Sequence, residues 1–174
     1  VKKSKMPINK SDSSTGPLSG LRILAISQFG AGPFATQNLV DLGAEVIKIE
    51  DPTVGGDIAR YVPPTTGKAD SLYFQSFNRG KKSITIDLRN SEGINLFHRL
   101  VEKSDAVFNN LRGDLPAKLG ITYKSLEHLN PALVTCSLSG FGRTGPRASE
   151  PGYDPIIQAM AGYMSITGDP AGPP

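Results

Sequence analysis

Apolar and polar positions over residues 21–50 follow the order of a strand, a helix and a second strand. Residues 21–26 are almost all apolar, which is typical of a strand buried on both faces of a sheet. After a glycine-rich turn, Pro33 is expected at the first helical position, where its missing N–H costs nothing. Gly43 should end this helix, and the apolar residues at 46–49 begin the next strand.

The rest of the chain continues this alternation of strands and helices. Further strands are predicted over residues 83–88, 106–108 and 133–137. Further helices are predicted over residues 72–78, 91–103, 115–119, 123–129 and 156–166. Asp70 or Ser71 should cap the first of these helices and Asp154 the last. Residues 51–70 are rich in Gly, Pro and Thr and are expected to form an irregular loop.

Strands that alternate with helices predict an α/β fold with a Rossmann-like parallel sheet flanked by helices. Ligands of such sheets bind at the carboxyl ends of the strands. We therefore expect the loops that follow these ends to line one cleft. These loops are residues 28–33, 51–56, 109–113 and 138–153.

Composition fits a soluble globular protein, since 38% of the 174 residues are hydrophobic and 20% are charged. No apolar run approaches the ~20 residues that cross a membrane, and no secretory signal is recognisable. A cytoplasmic location is therefore expected, with an organelle matrix as the alternative. The single cysteine, Cys136, lies in a strand-like run and is expected to be an inert core thiol.

The net charge of +3 arises from one end of the chain. Residues 1–16 hold four lysines and one aspartate, so residues 17–174 are neutral overall. We expect residues 1–16 to be a disordered tail and residues 17–174 to form the domain. The basic isoelectric point therefore does not indicate nucleic-acid binding.

The glycine turn has the sequence pattern of a nucleotide-binding motif. Residues 30–35 match the pattern G-x-G-x-x-A, and Glu50 lies where dinucleotide-binding proteins hold a ribose-binding acid. Backbone N–H groups at the start of a helix attract phosphate, which supports a nucleotide site. Taken alone, this pattern allows an NAD-dependent dehydrogenase, or a turn that merely packs a helix on a strand.

Motifs along the whole of residues 17–174 narrow this choice. In chain order they are PLSGLRIL at 17–24, AGP at 31–33, DLGAEVIKIE at 41–50, NRGKKSI at 78–84, SGFG at 139–142, TGP at 144–146, GYD at 152–154 and GPP at 172–174. In these motifs the chain resembles the family III CoA-transferases, which include formyl-CoA and carnitine CoA-transferases. It also resembles their relatives, the α-methylacyl-CoA racemases.

The resemblance implies that residues 17–174 are the N-terminal part of a large Rossmann-like domain that binds coenzyme A, and that the full-length enzyme forms interlocked homodimers. It also implies an aspartate nucleophile that attacks an acyl-CoA donor and passes CoA to a carboxylate acceptor through anhydride and thioester intermediates. The family's nucleophile follows the GPP motif and so lies beyond Pro174. No catalytic residue is therefore assigned in this chain, and we expect its 174 residues to be inactive alone.

No metal is expected, because no His/Cys/Asp cluster has ligand spacing, and the charge and hydropathy patterns indicate no nucleic-acid or membrane partner. The resemblance also assigns CoA contacts by motif position. The matching positions fall beside the glycine turn, near the adenine and phosphates, along the pantetheine and phosphates, and at the thioester end. In that order they are Phe29 and Ala31; Leu88 and Arg89; Asn110, Lys118 and Leu119; and Tyr153. Two positions depart from the family: Asp51, where many members have arginine, and Leu111, where an aromatic residue is usual.

The residue at position 153 indicates which of the two activities, CoA transfer or racemisation, this chain resembles. The racemases use the histidine of a Gly-His-Asp motif to exchange an α-proton, and this chain has tyrosine there. A tyrosine with a pKa near ~10 is a poor base at neutral pH, and this favours the transferase. A racemase-like enzyme and a non-catalytic CoA-binding fragment are alternatives, and the dehydrogenase comes last.

Overall fold

The computed structural model describes residues 16–66, 71–169 and 171–173. Its strands form one parallel five-stranded sheet in the order β3-β2-β1-β4-β5. The strands are β1 Arg22–Ile26, β2 Glu45–Glu50, β3 Lys82–Thr85, β4 Ala106–Asn109 and β5 Val134–Ser137. This arrangement confirms the predicted α/β fold. The strand order reverses between β1 and β4, which is where such sheets open a crevice for ligands.

Six α-helices connect and flank the strands in the described part of the chain. They are α1 Ala31–Asp41, α2 Leu72–Asn78, α3 Ser91–Val101, α4 Leu115–Lys118, α5 Tyr123–Leu126 and α6 Asp154–Met160. Short 3-10 helices cover Pro52–Val54, Ile58–Tyr61 and Tyr163–Ser165. No helix among these described residues is long and apolar enough to cross a bilayer.

Apolar residues of β1 point alternately to two core clusters, as a strand with both faces buried requires. Leu24 and Ile26 belong to the cluster that includes Phe97 of α3. Ile23 and Ala25 belong to the other cluster, against which residues of α1 pack. The sheet is therefore covered on both faces around β1, and the carboxyl end of this strand is held in place from both sides.

Several predicted boundaries were wrong. Helix α1 begins two residues early, because the Phe34 N–H already donates to Gly30 O over 2.8 Å, so Pro33 is the third helical residue. Asp154 does not cap α6 but is its first residue, and that helix ends at Met160 rather than near residue 166. The loop predicted for 51–70 contains two of the short 3-10 helices.

Cys136 is exposed, which contradicts the expectation of a core thiol. Strand β5 is the edge of the sheet, and Val134, which shares the face of Cys136, is 63% exposed. An apolar run in an edge strand thus has the same sequence pattern as a core strand, although its side chains are exposed. The tail predicted at residues 1–16 and the cap residue Asp70 lie outside the described residues, except for Gly16.

Candidate functional site

A mostly apolar cavity of about 340 Å³ opens at the carboxyl ends of the strands. It is lined by the ends of β1 and β2, the segments that follow β2, β3 and β4, and helix α4. Three of the four loops predicted to share a cleft contribute to it. Residues 138–153 do not, because they follow β5 at the far edge of the sheet. The segment 86–89 after β3 takes their place.

Three of the predicted CoA contacts meet in this cavity. Leu88, Arg89 and Leu119 all line it, although they come from different segments of the chain. The Arg89 guanidinium donates to Asp51 over 3.0 Å and to Asp87 over 2.9 Å. The hydrogen bond to Asp87 and the charge of Asp51 raise the pKa of Arg89. A positive group therefore stands beside an apolar cavity, with two carboxylates that partly neutralise it.

The other predicted contacts lie outside the cavity wall. Phe29 and Ala31 are exposed at the glycine turn, and Asn110 lies against that turn. Lys118 is exposed and forms an ion pair with Asp114 over 2.7 Å. Tyr153 is 67% exposed just before α6. The described structure thus brings both positions matched to adenine and phosphate together with Leu119 from the pantetheine segment, and it leaves the other five positions outside the cavity lining.

Side chains from four segments hold the backbone of the glycine turn. Lys48 donates to Ser27 O over 2.5 Å, and Lys81 donates to Pro33 O over 2.7 Å. The amide of Asn110 accepts from the Gln28 N–H and donates to the Gln28 carbonyl, both over 2.9 Å. Asp57 accepts from the N–H of Phe29 over 2.9 Å. The turn is therefore fixed along its whole length.

Lys48 and Asp57 form a buried ion pair beneath this turn. Their Nζ and Oδ2 atoms are 2.6 Å apart, and the side chains are 1% and 0% exposed. Burial lowers the pKa of Lys48, and the Asp57 carboxylate opposes that shift. Lys81 lies nearby, and burial together with the charge of Lys48 lowers its pKa to about 7. Buried charges are costly unless they are paired, so this pair needs both of its members.

Glu50 is joined to the same network. Arg60 donates to both carboxylate oxygens, over 2.8 and 2.6 Å, and Ser83 and the Asp57 N–H donate as well. Burial alone would raise the pKa of Glu50, but these hydrogen bonds lower it to about 2. Arg60 also stacks over the Phe74 ring, 3.9 Å from its centroid.

The surroundings of Glu50 argue against a dinucleotide site. A ribose-binding acid must offer its oxygens to ligand hydroxyls. The Glu50 side chain is 2% exposed, and both of its oxygens accept hydrogen bonds from the protein. Glu50, which occupies the position of the ribose-binding acid in NAD-binding motifs, therefore has a structural role.

Sequence reasoning missed the Lys48–Asp57–Glu50–Arg60 network. One signal was available, because Lys48 and Glu50 are charged residues on the same side of strand β2, where the apolar residues 46, 47 and 49 predict burial. Two buried charges on one strand face require partners. Asp57 and Arg60 come from the segment predicted as irregular loop, where no pattern could indicate the pairing.

Residues 18–174 match the model of CoA-transferase family III. The chain belongs to this family. It is 48% identical over 163 residues to the succinate–glutarate CoA-transferase of Agrobacterium fabrum, and the match covers 91% of the chain and 41% of that relative. It is 44% identical over 159 residues to the acetyl-CoA:oxalate CoA-transferase of Acetobacter aceti, and the match covers 91% and 40%.

The succinyl-CoA:glutarate CoA-transferase of Homo sapiens is 42% identical over 159 residues, with 91% of the chain and 36% of that relative covered. The family III chain thus spans about two fifths of the length of these curated relatives. These matches confirm the resemblance predicted from the motifs.

Solved structures agree with this assignment. A CAIB/BAIF family protein from Brucella suis is 45% identical, with a TM-score of 0.83, and the match covers 91% of the family III chain and 43% of that structure's chain. Rv3272 from M. tuberculosis is 39% identical, also with a TM-score of 0.83, and the match covers 92% and 45%. The described sheet is therefore the N-terminal part of this fold.

Residues that could hold CoA in this family III chain are those of the cavity and the glycine turn. Leu88 and Leu119 offer apolar walls, and Arg89 offers a cation at the mouth. No partner in the described part of the chain accepts from the Ala31 and Gly32 N–H groups at the start of α1. Among the described residues, no group of three or more His, Cys, Asp or Glu side chains could hold a metal ion.

Proposed function

We propose that this chain is the CoA-binding part of an enzyme that transfers coenzyme A between carboxylic acids. The observation that carries the proposal is the cavity at the strand ends of a family III chain, with apolar walls and Arg89 beside it. Crevices at the carboxyl ends of such sheets are the usual ligand sites. An apolar pocket beside an arginine suits a nucleotide base followed by phosphate.

Each residue that the family resemblance assigns as a CoA contact has a proposed role in binding CoA. Leu88 contacts the adenine, and Arg89 pairs with a phosphate. Asn110, Lys118 and Leu119 follow the pantetheine and the phosphates. Phe29 and Ala31 contact CoA at the glycine turn, and Tyr153 lies near the thioester. The positions of Leu88, Arg89 and Leu119 in one cavity support this assignment most directly.

The proposed reaction proceeds through the aspartate that the resemblance places after Pro174. Its carboxylate attacks the carbonyl of the acyl-CoA, and the CoA thiolate leaves as a mixed anhydride forms. The thiolate then attacks the aspartyl carbonyl of the anhydride, so that the donor acid leaves and an enzyme thioester remains. The acceptor carboxylate attacks this thioester, which expels the CoA thiolate and forms a second anhydride. The thiolate then attacks the acceptor carbonyl of that anhydride, which releases the new acyl-CoA and the free aspartate. Within the 174 residues we assign no nucleophile, and we propose that they bind CoA without transferring it.

Dicarboxylic acids are the proposed acyl groups. The relatives from A. fabrum and H. sapiens are named for transfer between succinate and glutarate, and the relative from A. aceti for transfer between acetyl-CoA and oxalate, so each name includes at least one dicarboxylic acid. Identities of 42–48% over the CoA-binding part support a related reaction for this protein. We also propose that the whole protein is an interlocked homodimer in the cytoplasm, as the family resemblance implies.

A transfer assay tests the proposed function. Protein that extends past Pro174 is mixed with succinyl-CoA and glutarate, and glutaryl-CoA is followed by chromatography. We expect transfer from the extended protein and none from the 174-residue chain. Exchange of the α-proton of a 2-methylacyl-CoA in D₂O, without CoA transfer, would instead show the racemase activity. Turnover by the 174-residue chain would contradict the assignment of the nucleophile.

A further inference from the structure

We infer that Asp57 is a positioning residue for CoA binding, because it fixes the backbone of Phe29 in the glycine turn. The inference rests on the proposed function, in which Phe29 contacts CoA. Asp57 itself is buried, so it acts only through the turn above it. Lys48 in turn holds Asp57 in the orientation that this role requires.

The backbone of Phe29 needs such support. Phe29 has a φ of 64° and is the only described residue other than glycine with a positive φ. Side chains with a Cβ atom rarely adopt this left-handed region, and a bulky aromatic residue does so only when its surroundings hold it there. The Phe29 ring packs against Tyr73, with centroids 5.2 Å apart, and remains 47% exposed. This ring contact leaves much of the side chain available to a ligand.

Asp57 supplies the hydrogen bond that holds this conformation. Its Oδ1 atom accepts from the Phe29 N–H and from the Ala59 N–H, each over 2.9 Å. Its Oδ2 atom lies 2.6 Å from the Nζ of Lys48. With both oxygens engaged, the carboxylate cannot rotate away from Phe29. The Asp57 N–H also donates to Glu50 over 2.8 Å, which fixes the backbone from which this side chain extends.

The other anchors of the turn act on its neighbours and not on Phe29. Lys48 binds the carbonyl of Ser27, Asn110 binds Gln28, and Lys81 binds the carbonyl of Pro33. Among the described contacts, Asp57 is therefore the group that accepts from the strained residue. Loss of this acceptor would let the Phe29 peptide relax toward ordinary backbone angles while both ends of the turn stay in place. A ligand would then bind to a turn that it must first reorder.

A simple Asp57→Ala variant is a poor test, because it leaves the buried Lys48 without a partner. Two double variants avoid that problem. Lys48→Met with Asp57→Asn keeps an Oδ1 acceptor for the Phe29 N–H, and Lys48→Met with Asp57→Leu has a similar shape but no acceptor. Both variants lack the buried charges and the Lys48 contact with Ser27, and they differ in whether residue 57 offers an acceptor to the Phe29 and Ala59 N–H groups.

The experiment measures CoA binding by calorimetry and amide hydrogen exchange by NMR, in the full chain and in both double variants. Both double variants lose the Lys48 contact with Ser27, so the comparison is made between them. The double variant Lys48→Met/Asp57→Leu should bind CoA at least about tenfold more weakly than the double variant Lys48→Met/Asp57→Asn. The Phe29 amide should exchange slowly in the parent protein and fast only in the variant that carries Asp57→Leu.

Equal CoA affinity of the two double variants would overturn the inference, and so would rapid exchange of the Phe29 amide in the parent protein. The second result needs no variant, so it decides the matter even if neither variant folds. Failure of the parent protein to bind CoA would refute the proposed function instead. In that case the exchange rate of the Phe29 amide would still report whether Asp57 holds the turn.

Discussion

Arg89 forms ion pairs with two carboxylates, those of Asp51 and Asp87, beside the cavity. The Oδ1 atom of Asp51 accepts from the Arg89 guanidinium over 3.0 Å, and Asp87 accepts over 2.9 Å. In the proposed complex, a phosphate of CoA competes with Asp51 and Asp87 for the same donor groups. The side chain of Arg89 is 53% exposed, so solvent weakens this competition without removing it.

Substitution of these residues should change CoA affinity in opposite directions. We expect Arg89→Ala to weaken CoA binding about tenfold, because a charge-assisted contact to phosphate is lost. Asp51→Asn should strengthen binding a few-fold, because it removes a carboxylate that competes with phosphate. Calorimetric titration with CoA measures both effects, with Arg99→Ala on α3 as the matched control. Weaker binding of Asp51→Asn would contradict this account of the mouth of the cavity.

Glu50 should make stability depend on pH in the acid range. Its pKa falls from 4.5 to about 2 in the folded chain, so the folded state holds the carboxylate charged where the unfolded state binds a proton. This contribution is complete above pH ~4.5 and is lost as the pH falls through ~2. It amounts to about 3 kcal/mol if the whole shift is expressed.

Acid unfolding followed by circular dichroism tests this prediction. Glu50→Gln should lower the free energy of unfolding at pH 7 by a few kcal/mol, because Arg60 loses its charged partner. Between pH ~4.5 and ~2, the stability of this variant should fall less steeply than that of the parent chain. Identical pH dependence of the two proteins would show that Glu50 is not held in its charged form.

Among the elements, the start of α1 depends on its close approach to the segment after β4. A Cβ atom added at Gly32 would lie 2.6 Å from Cγ of Asn110, closer than real contacts allow. Asn110 holds Gln28 of the glycine turn, so any displacement of its side chain reaches the turn directly. The second glycine of the motif therefore serves packing between α1 and the end of β4, in addition to any contact with a ligand.

Gly32→Ala should destabilise the chain by about 1–3 kcal/mol through overpacking. The same substitution in an Asn110→Gly background should be neutral or slightly stabilising, because the obstructing side chain is gone and alanine favours a helix. Urea unfolding of the two single variants and the double variant measures this coupling. Additive effects of the two substitutions would contradict the predicted contact.

The order and type of the main elements could be predicted from sequence, and their ends could not. The apolar run of β1 and the amphipathic pattern of α3 are strong local signals, and both elements formed as expected. The start of α1 depended on one backbone hydrogen bond from Phe34. The exposure of Cys136 depended on the place of β5 at the sheet edge, which local sequence does not encode.

For the whole molecule, topology explains which candidate residues meet. Leu88 and Arg89 follow β3, Leu119 follows α4, and the strand order brings both segments to the cavity. The family motifs in the sequence also point to these three positions. The pairing of Lys48 with Asp57 could not be predicted, because it joins a strand to an irregular segment whose path follows from tertiary packing.

Features outside the glycine turn favour CoA over NAD as the nucleotide that this chain binds. The sequence pattern of residues 30–35 is that of an NAD-binding motif. The Glu50 carboxylate, however, is hydrogen-bonded to Arg60 within the protein, and the chain belongs to CoA-transferase family III. We therefore expect the cavity at the strand ends to bind coenzyme A and not NAD.

Calorimetric titration of the 174-residue chain with CoA, and separately with NAD, measures this preference. We predict saturable binding of CoA that Arg89→Ala weakens, and no measurable binding of NAD. Binding of NAD without binding of CoA would contradict this expectation.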